Sequence, residues 1–164
     1  MSNIVLVGNP KADSKTLRAA RDIAHELFVG EVDGVIDIAT FAEGLLMAAH
    51  DVADSALGTV ANSTMLLVAS PTYKGTYTGL LKLFLDKLPG NSLEGTTAFP
   101  MMLGAGPGHA MAPELTLRPV LVELGASCPV RGLYLTEDEV AEGSPPGTWL
   151  HVARPHAHRN GPGS

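Results

Sequence analysis

The sequence predicts an α/β protein, a three-layer sandwich built on a five-stranded parallel sheet in the order 2-1-3-4-5. Three observations carry this. Five short apolar runs, at residues 3–8, 35–38, 64–69, 96–103 and 129–135, have the length of strands. Helical segments separate them, a pattern that requires crossover connections and a parallel sheet. The first run, Asn3-Ile4-Val5-Leu6-Val7-Gly8, shows no apolar–polar alternation, so both of its faces are expected to be covered. The order 2-1-3-4-5 is the natural one for five such units and puts a switch point between strands 1 and 3.

Each element has a local reason. Ser14 opens a helix to about Val29, with Leu17, Ala20, Ala24, Leu27 and Phe28 toward the sheet and Arg18, Asp22, His25 and Glu26 toward water; Gly30 closes it. Residues 40–49 and 52–61 read as one broken helical crossover. After the third strand, Ser70 begins a loop that becomes a helix, with Leu81, Phe84, Leu85 and Leu88 on one stripe at i, i+3, i+4 and i+7. Leu80 and Leu83 lie off that stripe, a surplus of apolar surface that suggests a homodimer or homotetramer. Residues 113–124 form the next helix, loosened by Pro119 and ended by Gly125. Residues 144–147 break the chain. Residues 1–153 are expected to form one domain and residues 154–164 a flexible tail.

Composition narrows the function. At 164 residues, 45% hydrophobic and 17% charged, the chain is globular. A formal net charge of −6 argues against a nucleic-acid binder. Cys128 is the lone cysteine, which fits a reducing cytoplasm and makes neither a disulfide nor a metal cluster. Beside Pro129, it reads as a small buried hydrophobe. No signal peptide or membrane-length apolar run is evident. HExxH, CxxC and Ser/His/Asp elbow patterns are absent. His151, His156 and His158 read as tail residues, not metal ligands.

Three loops converge on the switch point. In the first, Asn9-Pro10-Lys11-Ala12-Asp13-Ser14-Lys15-Thr16 joins a strand to a helix N-terminus, where free N–H groups favour a phosphate; Ser14 is equally an ordinary N-cap. The GxxxxGK[ST] and GxGxxG spacings are both missing. In the second, Pro71-Thr72-Tyr73-Lys74-Gly75 with Tyr77 and Gly79 offers flat aromatic faces and glycines for close approach; a surface loop packed on its neighbours is the plainer alternative. In the third, Gly104-Ala105-Gly106-Pro107-Gly108 ends at His109, which is a general acid, a ligand contact or only a loop residue.

These residues carry a resemblance. Gly8-Asn9-Pro10-Lys11 with Ser14 and Thr16, Ser70-Pro71-Thr72-Tyr73-Lys74-Gly75, Gly79-Leu80-Leu81-Lys82 and Leu85-Asp86 resemble the NADPH-dependent FMN reductase family, of flavodoxin-like fold. Tyr73 to Pro89, Leu93-Glu94-Gly95 and Leu117-Arg118-Pro119-Val120-Leu121 are similar to the reductase components of two-component sulfonate monooxygenases. The resemblance implies that Asn9, Pro10, Lys11, Ser14 and Thr16 hold the FMN phosphate. It implies that Pro71, Thr72, Tyr73, Lys74 and Gly75 line the isoalloxazine ring, with Gly104, Ala105 and Gly106 on its far side. NADPH or NADH then supplies a hydride to flavin N5, with no catalytic acid–base residue, and a flavin-dependent monooxygenase is the expected recipient. Lys11 stands where the family usually carries Arg, and Glu114-Leu115-Thr116, just before Leu117, lacks the aromatic residue that some two-component relatives carry there. Whether flavin is released or retained stays open, as do a quinone or azo reductase and a non-enzymatic electron carrier on the same fold.

Overall fold

A computed structural model describes residues 2–29, 31–143 and 146–157. Strands β1 (Asn3–Val7), β2 (Gly34–Asp37), β3 (Met65–Pro71), β4 (Thr97–Gly104) and β5 (Leu133–Thr136) form one sheet in the order β2-β1-β3-β4-β5. Every pairing is parallel. The expected fold class is therefore the observed one. Helix α1 (Lys15–Leu27) and helix α6 (Gly147–Ala157) cover one face. Helix α2 (Asp51–Ala61), helix α3 (Gly79–Leu85) and helix α4 (Arg118–Glu123) cover the other. Helix α5 (Glu137–Ala141) follows β5 directly.

The apolar stripes are where their spacing put them. Leu17, Ala20, Ala24 and Leu27 of α1 and its C-cap Phe28 are buried, as are Leu81, Phe84 and Leu85 of α3 and Leu88 in the turn that follows it. Leu80 and Leu83 also pack against the core and are partly buried, so they are not surplus surface. The large exposed apolar residues lie elsewhere, with Met111, Leu115 and Val122 spaced along one helical region. The expected helix stop at Gly30 lies outside the described residues; helix α1 ends earlier, with Phe28 as C-cap and Val29 at a φ of 51°.

Three boundaries differ from expectation. Strand β3 runs through Ser70 and Pro71, which read as loop. Backbone groups alternate sides along a parallel strand. Ala69 O accepts from Gly8 N on the β1 side, and Thr72 N donates to Leu103 O on the β4 side. The nitrogen of Pro71 therefore faces past the end of β1, where no donor is needed.

Strand β5 starts at Leu133 rather than Pro129. Pro100, inside β4, has no N–H to offer on that side. The preceding segment finds side-chain partners instead. Arg118 donates to Cys128 O at 2.9 Å, Gly132 N donates to Glu114 at 2.9 Å, and Trp149 Nε1 donates to Arg131 O at 2.7 Å.

The boundary expected between residues 153 and 154 falls inside α6. Leu150, Ala153 and Ala157 make a buried stripe there, and Arg154 bonds both Glu26 O and the Glu26 carboxylate, the latter at 2.5 Å. His158 and the rest of the expected tail lie outside the described residues.

Pro119 acts as its chemistry demands. Without an N–H it cannot bond the carbonyl four residues back. The turn before it, Pro113–Leu117, is a π-helix, with Arg118 N donating to Pro113 O. Thr116 Oγ1 donates to Ala112 O at 2.6 Å, which satisfies a carbonyl in the widened turn.

Candidate functional site

The first loop leaves β1 at Gly8. A Cβ there would collide with Leu81 and lie 3.0 Å from its Cδ1, so glycine is what lets α3 cross the end of β1. Asn9 then folds the loop on itself. Its Oδ1 accepts from Lys11 N at 2.9 Å, and its Nδ2 donates to Thr16 Oγ1 at 3.0 Å. Ser14 caps α1 by accepting from Leu17 N at 3.1 Å. Asn9, Ser14 and Thr16 are buried, while Pro10 and Lys11 are exposed above them. Lys15 turns away to Glu137 at 2.5 Å. Lys11 is in no salt bridge among the described residues. The Lys15 and Thr16 amides, in the first turn of α1, find no protein acceptor among the described residues, as the start of a helix dictates.

The second loop is a miniature hairpin. Tyr73 N donates to Thr76 O at 2.8 Å and Thr76 N to Tyr73 O at 3.2 Å. Between them Lys74 has φ 55° and Gly75 φ 81°. Two successive positive φ values make a type I′ turn, which suits Gly75 and strains Lys74. The turn presents Tyr73 at 48% exposure. Tyr77 instead packs partly into the core.

Two residues missed in the sequence hold this hairpin. Ser70 Oγ accepts from Thr78 N at 3.0 Å. Thr78 Oγ1 donates to Gly8 O and accepts from Leu81 N at 3.1 Å, capping α3. Both residues are buried. Thr78 carried a visible signal, a hydroxyl residue directly before an apolar helical stripe. Ser70 carried none.

The third loop meets the second. A Cβ on Gly75 would lie 3.7 Å from His109 Cε1, so the imidazole of His109 sits over that glycine. Gly104 is buried, and a Cβ there would lie 2.8 Å from Tyr134 Cζ. Tyr134, also missed, passes beneath the loop and donates to Gly106 O at 2.7 Å. Gly104 is thus a clearance for Tyr134, whereas Ala105 and Gly106 stand further out.

All three loops leave the carboxyl ends of β1, β3 and β4 at the switch point. The arrangement fits a flavin mononucleotide. Thr72 Oγ1 is buried with no hydrogen-bond partner among the described residues, directly before the exposed tyrosine. The first loop presents helix N-terminal amides and hydroxyls, donors of the kind that a phosphate accepts from. Thiol chemistry is disfavoured: burial pushes Cys128 up to about 11, despite the opposing charge of Arg118. Among the described residues, no cluster of His, Cys, Asp and Glu is placed to hold a metal ion.

Comparison with known proteins identifies the family. The model of the family described as NADPH-dependent FMN reductase matches residues 1–139. An FMN reductase (NADPH) of Escherichia coli (strain K12) is 33% identical over 150 residues, 87% of this chain and 76% of that protein. The NADH-dependent FMN reductase SfnF of Pseudomonas fluorescens (strain Pf0-1) is 32% identical over 89 residues, 54% of this chain and 48% of that protein. The apo crystal structure of an NADH:FMN oxidoreductase (EMOB) superposes with a TM-score of 0.85 at 29% identity, covering 95% of this chain and 87% of that one. With its matching family model and its flavodoxin-like sheet, the chain belongs to the NADPH-dependent FMN reductase family.

Proposed function

We propose that this chain oxidises NADPH or NADH and reduces FMN, and that the reduced flavin passes to a flavin-dependent monooxygenase. The observation that carries the reading is the Tyr73–Thr76 hairpin, pinned by Ser70 and Thr78 at the switch point beside the α1 N-terminus. Lys11, Ser14 and Thr16, with the amides of the α1 first turn, hold the phosphate, and Asn9 and Pro10 shape that loop. Pro71, Thr72, Tyr73, Lys74 and Gly75 line the ring, and Ala105 and Gly106 bound it across the cleft, over Gly104. When bound, FMN accepts the hydride of the nicotinamide at N5. The protein contributes orientation, through the braced loops, and backbone donors in place of an acid–base residue.

Either nicotinamide nucleotide suits this reading, since the relatives include both an NADPH and an NADH enzyme. A homodimer or homotetramer is supported by the exposed apolar residues Met111, Leu115 and Val122. A cytoplasmic location is supported by the lone thiol, and no helix among the described residues is long and apolar enough to cross a membrane. The test is steady-state oxidation of NADPH and NADH against varied free FMN, with the flavin content of the purified protein recorded. Oxidation that saturates with added FMN is expected. Flavin retained through turnover with a preference for quinones would replace this reading with a quinone reductase, and little oxidation of either nucleotide would end it.

A further inference from the structure

Asn9 is 7% exposed and spans the first loop with both ends of its carboxamide. Chemistry decides which end meets which partner. The backbone N–H of Lys11 only donates, so the atom 2.9 Å from it is the Asn9 oxygen. The Asn9 nitrogen is then the atom 3.0 Å from Thr16 Oγ1, and it too only donates. The Thr16 hydroxyl is therefore an acceptor toward Asn9. Its single proton remains to be donated elsewhere, and among the described residues it has no acceptor. This hydroxyl belongs to the first turn of a 13-residue helix, where the amides of Lys15 and Thr16 are also without protein acceptors. Two acids lie nearby, since Asp13 N donates to Asp37 at 3.4 Å. An anion bound here thus depends on aligned donors more than on net charge.

We propose that Asn9 is a positioning residue: it holds the Thr16 hydroxyl as a donor for the phosphate monoester of FMN, and so makes the chain select phosphorylated flavin over riboflavin. The inference rests on the FMN reductase reading above and assigns the phosphate selectivity of that site. Aspartate at this position has nearly the same shape and the opposite consequence. It keeps the bond to Lys11 N–H, but its second oxygen only accepts. The Thr16 proton then turns to the carboxylate and is lost to the ligand.

The test is equilibrium titration of the full chain with FMN and with riboflavin, followed by flavin fluorescence, for the wild type, Asn9→Asp, Thr16→Val and the double variant. Asn9→Asp is expected to weaken FMN binding about tenfold more than riboflavin binding. With Thr16→Val as the background, that selective loss shrinks to about threefold, the residue left by charge repulsion. Equal weakening of both flavins would reduce Asn9 to a fold element and overturn the proposal. A selective loss of the same size with and without the Thr16 hydroxyl would assign the effect to charge alone and overturn it too. A wild-type chain that binds neither flavin would remove the FMN reductase reading itself, a failure visible before any variant is compared.

Discussion

The hydroxyl of Thr78 donates to the carbonyl of Gly8, 70 positions earlier in the chain. One buried side chain thereby joins the loop after β1 to the loop after β3, and the same oxygen caps α3 through Leu81 N. Thr78→Val keeps the shape but strands a buried carbonyl and an amide. It is expected to cost about 1–3 kcal/mol of stability and to weaken FMN binding. Thr78→Ser should restore most of both. Urea unfolding and a flavin titration on the two variants decide it, and a valine variant with full flavin affinity would detach Thr78 from the site.

Tyr73 is held outward by a turn that itself contains a strained Lys74. Tyr73→Ala removes the aromatic face without touching the core. FMN affinity is expected to fall about threefold to tenfold, the range of an aromatic contact, with thermal stability nearly unchanged. Unaltered affinity and turnover would show that Tyr73 does not meet the ring.

Gly104 and Tyr134 compete for one space. Gly104→Ala is expected to destabilise the fold by about 1–3 kcal/mol through overpacking. The double variant Gly104→Ala, Tyr134→Phe should lose less than the sum of the single changes, because the phenol oxygen is the nearest obstacle. A strictly additive pair, measured by denaturant unfolding, would mean the loop moves instead.

Arg118 and Glu114 form a partly buried pair at 2.7 Å that also carries the backbone of Cys128 and Gly132. Arg118→Ala leaves the Glu114 carboxylate without its cation and the Cys128 carbonyl without its donor. A loss of about 2 kcal/mol is expected in urea unfolding. Arg118→Lys recovers only part, since one ammonium does not reproduce the two-pronged contact.

Cys128 gives a pH signature. Its folded value is raised to about 11 from 9.0. A raised value means that the protonated thiol is favoured in the fold. The associated stability is fully present below about pH 9 and is lost as pH climbs through about 11, on the order of 2 kcal/mol in all. The difference in stability between wild type and Cys128→Ala, followed from pH 8 to pH 11, should shift across that window. A flat difference would place the thiol nearer to solvent than its 6% exposure indicates.

The sequence alone determined the layers, the strand order and the two main apolar stripes. These rest on periodicity and burial, which are local properties of a chain that must cover both faces of a parallel sheet. The three loops at the switch point were legible for the same reason, since topology places them together. Tertiary structure alone decided what each loop residue does. Thr78 reaches Gly8 and Tyr134 reaches Gly106 across 70 and 28 positions, and no local pattern encodes such partners. Gly104 also clears Tyr134, a constraint no local pattern shows. The strand boundaries at Pro71 and Leu133 followed from which side of the sheet a missing proline N–H faced, a fact that exists only once the strands are paired.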